Sequence, residues 1–213
     1  MYMVNFDKYK NDGWGLSKRC FEDIYMILNN SDDKTFNVVE FGSGISTDFI
    51  LDLNNSGFDM SLYSFDDNKT YASKRLDSKL RLSIVNLIYC NDNDFELLFK
   101  NKNFNRDLFK IKTDLPTTRQ KNTFYDINDS FFPEKIDLMI VDGPHGNGRS
   151  IAFLFGNGKL KSGSYVVIDD YNHYDFLNRF KIIFNDFEIV SESNTGNSDK
   201  WNLGGNYIIL KIK

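Results

Sequence analysis

Short apolar runs alternate with longer amphipathic segments along most of the chain, a pattern typical of α/β proteins. The run IDLMIV at residues 136–141 is apolar except for Asp137, as expected of a central parallel strand that is buried on both faces. The apolar runs predict strands at residues 36–41, 60–65, 81–89, 136–141, 165–168, 187–191 and 206–212. The amphipathic segments predict helices at residues 17–28, 46–53, 68–80, 149–161 and 176–184. Between residues 91 and 135, we expect a helix around 95–101 and a short strand around 123–127.

The end of the chain predicts a change in strand direction. The last two predicted strands are joined by the polar segment 193–205, which contains no helix pattern. Because strands joined without a crossover helix are normally antiparallel, we expect the final strand to run backwards. The sequence therefore predicts a doubly wound, mostly parallel α/β sheet of seven strands with a reversed last strand. We expect a single domain over residues 1–213, in which residues 1–30 form an N-terminal cap region with one helix.

Composition narrows the possible classes of protein. The 213 residues are 41% hydrophobic, which suffices for a folded core, and no apolar run approaches the roughly 18 residues of a membrane span. The formal net charge is −4, and Lys and Arg are scattered, whereas nucleic-acid binding needs a basic face. The start of the chain lacks a secretory pattern, and Cys20 and Cys90 lack metal-ligand spacing. We expect a cytoplasmic protein with reduced cysteines that binds neither nucleic acid nor membranes.

A glycine-containing turn follows the first predicted strand. In segment 36–47, FNVVEFGSGIST, the strand reaches Glu40 and turns on GSG at 42–44. Two glycines allow backbone N–H groups to approach a ligand closely at the mouth of an α/β sheet. The third glycine of a dinucleotide motif is missing, since position 47 is Thr, whereas Asp66 after the second strand could accept ribose hydroxyls. The pattern favours a nucleoside cofactor without a pyrophosphate, and a ligand-free strand-to-helix turn is the alternative.

Three acidic residues follow two neighbouring predicted strands. Asp142 comes directly after residues 136–141, and Asp169 and Asp170 come directly after residues 165–168. The carboxyl ends of parallel strands are where doubly wound folds bind ligands. Carboxylates crowded together repel one another unless a cation lies between them, and oxygen ligands suit Mg²⁺, Ca²⁺ or Mn²⁺. The alternative is that these residues cap the following turn and helix.

The two histidines of the chain each lie three residues beyond one of these acids. His173 follows Asp170 and His145 follows Asp142. An imidazole is well matched to taking a proton from a hydroxyl near neutral pH, so His173 is the preferred general base and His145 the second candidate. Surface loop positions are the alternative for both. Arg149 either binds a carboxylate of the substrate or pairs with a nearby acid.

From about residue 16 to its C-terminus, the chain resembles class I S-adenosylmethionine-dependent methyltransferases. In that family an acid and G-x-G follow the first strand, and an acid at the end of the second strand binds the ribose. Serine stands at position 46, where the family often has a third glycine. The resemblance implies that the cofactor is bound by Glu40, Gly42, Ser43, Gly44, Ser46, Thr47, Asp66 and Asp67. The adenine-binding acid stays open among Asp92, Asp94 and Asp126.

Within this family, the acids at the strand ends resemble those of metal-dependent O-methyltransferases of the catechol and macrocin types. The resemblance implies metal ligation by Asp142, Asp169 and Asp170, and a catalytic group of His173, His145 and Asp142. The expected activity is methyl transfer from S-adenosylmethionine to a hydroxyl of a sugar, a glycan or another small acceptor, assisted by magnesium or another divalent metal. The alternatives are a metal-independent methyltransferase with a histidine base, and a non-catalytic binding module with the same fold.

Overall fold

The computed structural model describes residues 4–9, 15–111, 121–194 and 205–213. Its strands are β1 (Thr35–Phe41), β2 (Asp59–Asp66), β3 (Leu80–Ile84), β4 (Leu87–Tyr89), β5 (Lys110–Ile111), β6 (Thr123–Tyr125), β7 (Ile136–Val141), β8 (Leu160–Asp169), β9 (Phe187–Ser193) and β10 (Tyr207–Ile212). Seven of them form one sheet in the order β3-β2-β1-β7-β8-β10-β9. Strands β3, β2, β1, β7 and β8 pair in parallel, and β10 is antiparallel to both β8 and β9. The predicted parallel sheet with a reversed last strand is confirmed.

The α-helices are α1 (Lys18–Asn29), α2 (Ile45–Leu53), α3 (Asp92–Asn101), α4 (Ala152–Gly156) and α5 (Phe176–Ile183). Helix α1 begins as predicted, because the hydroxyl of Ser17 accepts a hydrogen bond from the backbone N–H of Cys20 at 3.3 Å. Short 3-10 helices occur at Phe6–Tyr9 and Asn147–Ile151, among other places. No helix in the described ranges is long and apolar enough to cross a bilayer. Much of the predicted polar segment 193–205 lies outside the described residues.

The main sheet is covered on both faces. In β1, Val38 packs with α1 and α2 on one face, whereas Val39 packs into the cluster on the other face. Strand β7 alternates in the same way, with Leu138 on the first face and Met139 on the second. Successive side chains of a strand point to opposite faces, so a strand covered on both sides is apolar at most positions. This explains the run IDLMIV, in which the one polar residue, Asp137, accepts a hydrogen bond from the N–H of Asn37 at 2.9 Å and pairs with Lys135 at 2.6 Å.

The predicted helix at 68–80 is wrong. Residues 68–79 form turns and irregular chain. Tyr71 and Leu76 would give a helix its apolar face, but Tyr71 is 76% exposed and Leu76 is fully exposed. The Asn68 side chain instead accepts a hydrogen bond from the N–H of Thr70 at 2.9 Å. Such local bonds from side chain to backbone compete with helix formation.

The predicted strand at 81–89 is two strands in different sheets. Strand β3 belongs to the main sheet, whereas β4 pairs antiparallel with β5 and β6 in a separate sheet of three strands. The helix predicted at 149–161 is also shorter, since α4 ends at Gly156 and β8 begins at Leu160. The hydroxyl of Ser164 donates to the backbone oxygen of Ile136 at 2.7 Å, which draws the start of β8 onto β7.

Candidate active site

The glycine turn between β1 and α2 lies directly against the end of β7. Gly42 has a φ of +97°, and its N–H donates to the backbone oxygen of Phe65 at 2.9 Å. A Cβ atom at Gly42 would lie 2.9 Å from the backbone nitrogen of Gly143. Both the left-handed backbone and this close approach require glycine. The turn therefore joins the nucleoside-binding motif predicted after β1 to the acidic end of β7.

The predicted ribose acid, Asp66, braces this turn. Its two oxygens accept hydrogen bonds from the N–H groups of Ser43 at 2.8 Å and Asn68 at 2.7 Å. Burial raises the pKa of Asp66 above its ordinary value, and these backbone donors oppose the shift. Each carboxylate oxygen keeps a further lone pair for a ligand hydroxyl. Asp67, the other candidate, is exposed beside it.

Glu40 is fully buried beneath the turn. Its Oε2 accepts hydrogen bonds at 2.5 Å from the hydroxyls of Thr47 and Ser64. Its Oε1 is buried without a hydrogen-bond partner among the described residues. Burial raises the pKa of Glu40 to about 7. An acid with one unsatisfied buried oxygen costs stability, which is a reason to expect that a ligand completes the site.

The start of α2 lies within the turn. Gly44 is the N-cap residue, and Ser46 and Thr47 both lie buried in the first turn of the helix. The Thr47 hydroxyl points inward because it donates to Glu40 and accepts from the N–H of Gly44 at 3.0 Å. It also contacts the hydroxyl of Ser43 at 2.9 Å. These hydrogen bonds fix the conformation of the turn.

A cavity of about 580 Å³ lies beside the turn. It is bordered by Gly44, Ile45 and Asp48 on one side and by residues 70–75 on the other. The unsatisfied oxygen of Glu40, the glycine that excludes a side chain and the ribose-type acid Asp66 together fit a nucleoside cofactor at this end of the sheet. Glu40, Gly42 and Asp66 do not themselves line this cavity, and neither do the acids after β7 and β8.

Alanine at Gly42 is expected to damage both folding and cofactor binding. Gly57 provides a matched control, since its φ of +93° is similar but a Cβ there meets no atom within 4 Å. Gly57→Ala should cost about 1–2 kcal/mol from backbone strain alone. Gly42→Ala should cost about 1–3 kcal/mol more because of the clash with Gly143. Urea unfolding of both variants measures the difference, and equal destabilisation would contradict the close approach.

The carboxyl groups of Asp142 and Asp169 meet at the ends of β7 and β8. Burial raises the pKa of both groups, and the charges of Asp142 and Asp170 raise that of Asp169 further, to well above its ordinary range. The positive charge of Arg149 opposes both shifts. The negative charge of Asp142 therefore disfavours ionisation of Asp169.

Arg149 lies buried beside this pair. Its Nε donates to the backbone oxygen of Pro144 at 3.0 Å, and its Nη1 donates to that of Asp169 at 3.1 Å. Its Nη2 lies 3.9 Å from the Asp142 carboxylate. Of the two roles considered for Arg149, these contacts favour pairing with the nearby acid over binding a substrate carboxylate.

His173 lies at the same edge of the sheet but is accessible. Its side chain is 40% exposed, and its Nδ1 lies 3.5 Å from Oδ2 of Asp170. Asp170 has a φ of +51°, and its backbone N–H donates to the oxygen of Asn206 at 2.6 Å. The structure thus brings His173 and Asp170 together, one residue beyond Asp169. His145 is exposed on the loop after β7.

The predicted metal site is not confirmed. Among the described residues, no group of three or more His, Cys, Asp or Glu side chains could hold a metal ion. The Asp142 carboxylate lies 3.9 Å from Arg149, and Oδ2 of Asp170 lies 3.5 Å from Nδ1 of His173. Metal ligation by Asp142, Asp169 and Asp170 stays a prediction.

Two contacts at the site were not anticipated in detail. Gly15, just before α1, lies so close to Asp142 that a Cβ would be 2.9 Å from its Oδ2. The buried ring of Tyr125 stacks on Phe41, and its hydroxyl lies against Gly143. The sequence predicts a strand at 123–127, but the residues around Tyr125 do not indicate that this strand belongs to a second sheet or that the Tyr125 hydroxyl lies against Gly143.

The three candidates for the adenine-binding acid all have partners within the protein. Asp126 forms a two-point ion pair with Arg106 at 2.5 and 2.9 Å. Asp92 accepts from the side chain of Asn122 at 2.8 Å, and Asp94 lies in the first turn of α3, which Asn91 caps. These contacts do not single out one of the three.

No protein-family model matches the chain, and no curated protein matches it. Among solved structures, the chain is similar to a protein from Klebsiella pneumoniae that is described as a candidate O-methyltransferase. The TM-score is 0.51 and the sequence identity is 8%, and the match covers 98% of this chain and 89% of that chain. It is also similar to the methyltransferase MycE of the mycinamycin pathway, solved with Mg and SAH, with a TM-score of 0.46 and 14% identity over 99% of this chain and 49% of that chain. A candidate class I S-adenosylmethionine-dependent methyltransferase from Listeria monocytogenes has a TM-score of 0.46 and 12% identity over 100% of this chain and 63% of that chain.

The order of the sheet and the likeness to the Klebsiella structure define the class of fold. The chain has the Rossmann-like fold of class I S-adenosylmethionine-dependent methyltransferases, as the sequence predicted. It spans about half the length of MycE and less than two thirds of the Listeria protein. At 8% identity the likeness to the Klebsiella structure concerns the fold alone, and the activity is argued from the site itself.

Proposed function

We propose that this protein is an S-adenosylmethionine-dependent O-methyltransferase that acts on a hydroxyl of a sugar, a glycan or another small acceptor. The observation that carries the proposal is the contact between Gly42 and Gly143. It brings a glycine turn braced by Glu40 and Asp66 next to the acids and the exposed histidine at the ends of β7 and β8. The acceptor class follows the resemblance of the acids at 142, 169 and 170 to those of O-methyltransferases.

In this proposal, Asp66 accepts the ribose hydroxyls and the turn at 42–44 lies against the nucleoside. The negative charge of Asp142, at the end of β7, favours a positively charged donor. When bound, S-adenosylmethionine supplies a methyl group made electrophilic by its positive sulfur. Exclusion of water and alignment by the site contribute much of the rate.

His173 is the proposed general base. It takes the proton of the acceptor hydroxyl as that oxygen bonds to the methyl carbon and the carbon–sulfur bond breaks. The products are the methylated acceptor and S-adenosylhomocysteine, and the proton remains on the imidazole. Asp170, 3.5 Å away, stabilises the imidazolium.

The test is an assay for S-adenosylhomocysteine formation with a panel of sugars, glycans and catechols, with and without EDTA. We expect an acceptor-dependent product whose rate changes less than about twofold with EDTA, since no group of three His, Cys, Asp or Glu side chains among the described residues could hold a metal ion. Loss of activity in EDTA and recovery with Mg²⁺ would instead favour the metal-assisted mechanism implied by the resemblance. Donor binding without turnover on any acceptor would favour the non-catalytic module.

A further inference from the structure

Asp52, on the outer side of α2, is the meeting point of two separate chain segments. Lys8 forms an ion pair with its carboxylate, and the hydroxyl of Tyr9 donates to it at 2.6 Å. Arg75, from the irregular segment after β2, donates to the other carboxylate oxygen through Nη1 at 2.6 Å. Residues 6–9 and 73–75 are thus both attached to one side chain.

The second of these segments continues to the glycine turn. The Nη1 of Arg75 also donates to the backbone oxygen of Asp48 at 3.1 Å. Ser73 donates from its hydroxyl to the Asp48 carboxylate at 2.7 Å and from its N–H to the hydroxyl of Ser43 at 3.2 Å. A series of hydrogen bonds therefore connects Asp52 to the middle residue of the turn.

Neither segment is held by an extended secondary-structure element. Residues 6–9 form a single 3-10 helix, and residues 67–79 contain no helix or strand. Two cavities, of about 580 and 270 Å³, lie along this side of the turn, and both are bordered by Ile45, Asp48 and Arg75. The walls of these cavities therefore depend on side-chain contacts. Asp52 makes contacts with both segments and so connects them.

We propose that Asp52 is a positioning residue for donor binding, because it holds residues 6–9 and 73–75 in place on either side of the glycine turn. This inference rests on the proposed function. Without the carboxylate, Lys8 loses this ion pair, and Arg75 keeps only the longer contact with Asp77, at 3.8 Å, and the bond to the backbone oxygen of Asp48. The two positive charges then repel each other, because no carboxylate lies between them. The segments should then separate, and the turn should lose the support that Ser73 gives to Ser43.

The test compares Asp52→Asn with the wild type by calorimetry with S-adenosylmethionine and by amide hydrogen exchange. We expect a dissociation constant about tenfold higher in the variant, in line with lost bonds to a charged group. We also expect faster exchange at 4–9 and 68–79, and a rate at saturating donor that changes less than about twofold. Asp52→Glu should recover most of the affinity because it restores the charge.

Glu96→Gln is the matched control. It removes an ion pair of two hydrogen bonds, at 2.5 and 2.8 Å, between α3 and Arg179 on α5, away from the turn. Its donor affinity should equal that of the wild type. Equal donor affinity in Asp52→Asn and the wild type, or equal weakening in both variants, would overturn this inference alone. If the wild-type protein itself does not bind the donor, the proposed function fails, and this inference fails with it.

Discussion

Replacement of His173 by alanine is expected to lower the rate of methyl transfer by about 10²–10⁴-fold, the range typical of a lost general base. The reason is its position: it is exposed at the ends of β7 and β8 and lies 3.5 Å from the carboxylate of Asp170. The affinity for S-adenosylmethionine should stay within about twofold, since His173 takes no part in the glycine turn. Single-turnover kinetics at saturating donor measure the loss, and calorimetry measures the affinity.

His145 is the matched control for this experiment, because it is the only other histidine of the chain. It is exposed on the loop after β7 and was the second candidate for the base. We expect His145→Ala to retain the rate within about threefold. A large loss in His145→Ala together with a normal rate in His173→Ala would reverse the assignment. Normal rates in both variants would rule out a histidine base.

Replacement of Glu40 by glutamine is expected to stabilise the protein at alkaline pH and to weaken donor binding. Burial raises the pKa of Glu40 from its ordinary value of 4.5 to about 7. Between these values the folded protein binds a proton that the unfolded chain has released, so the stability due to this group falls as pH rises. The decrease in the free energy of unfolding due to Glu40 is complete above pH 7 and amounts to at most about 3 kcal/mol.

Glutamine does not titrate, and its oxygen can still accept from the hydroxyls of Thr47 and Ser64. The free energy of unfolding of Glu40→Gln should therefore exceed that of the wild type at pH 8, by up to about 3 kcal/mol, and approach it at pH 5. Asp142 and Asp169 titrate in both proteins, so their contributions cancel in the comparison. Urea unfolding at both pH values measures the difference, and an unchanged difference from pH 5 to pH 8 would contradict it.

The same substitution should weaken binding of S-adenosylmethionine by about 10- to 100-fold, because a hydrogen bond to a charged group is lost and a positive donor no longer faces an acid. Calorimetry at pH 8 measures this effect. A variant that is more stable but binds the donor as tightly as the wild type would show that Glu40 serves folding alone.

The strands with the longest apolar runs were predicted correctly, because they are buried. Strands β1 and β7 lie at the centre of the sheet, with α-helices or aromatic side chains on both faces. Their burial on both faces determines their apolar sequence, so the sequence reveals them. The reversed last strand followed from a missing helix, which is a topological argument independent of any motif. Errors occurred where local hydrogen bonds or a second sheet decided the structure, as at 68–80 and 81–89.

The site was predicted in part. The sequence identified the turn at 42–44 and its ribose-type acid, since both follow directly from strand ends. It could not indicate that Gly42 meets Gly143, because this contact depends on the pairing of β1 with β7, about 100 residues later in the chain. Crowded acids suggested a cation, whereas in the structure burial and neighbouring charges raise the pKa of both Asp142 and Asp169.

If the turn after β1 binds S-adenosylmethionine, titration calorimetry with this donor should show binding at one site per chain with a dissociation constant on the order of micromolar. Gly42→Ala should abolish this binding, and Gly57→Ala should preserve it. Absence of detectable heat at millimolar donor, or binding by Gly42→Ala as tight as that of the wild type, would show that the turn does not bind the donor.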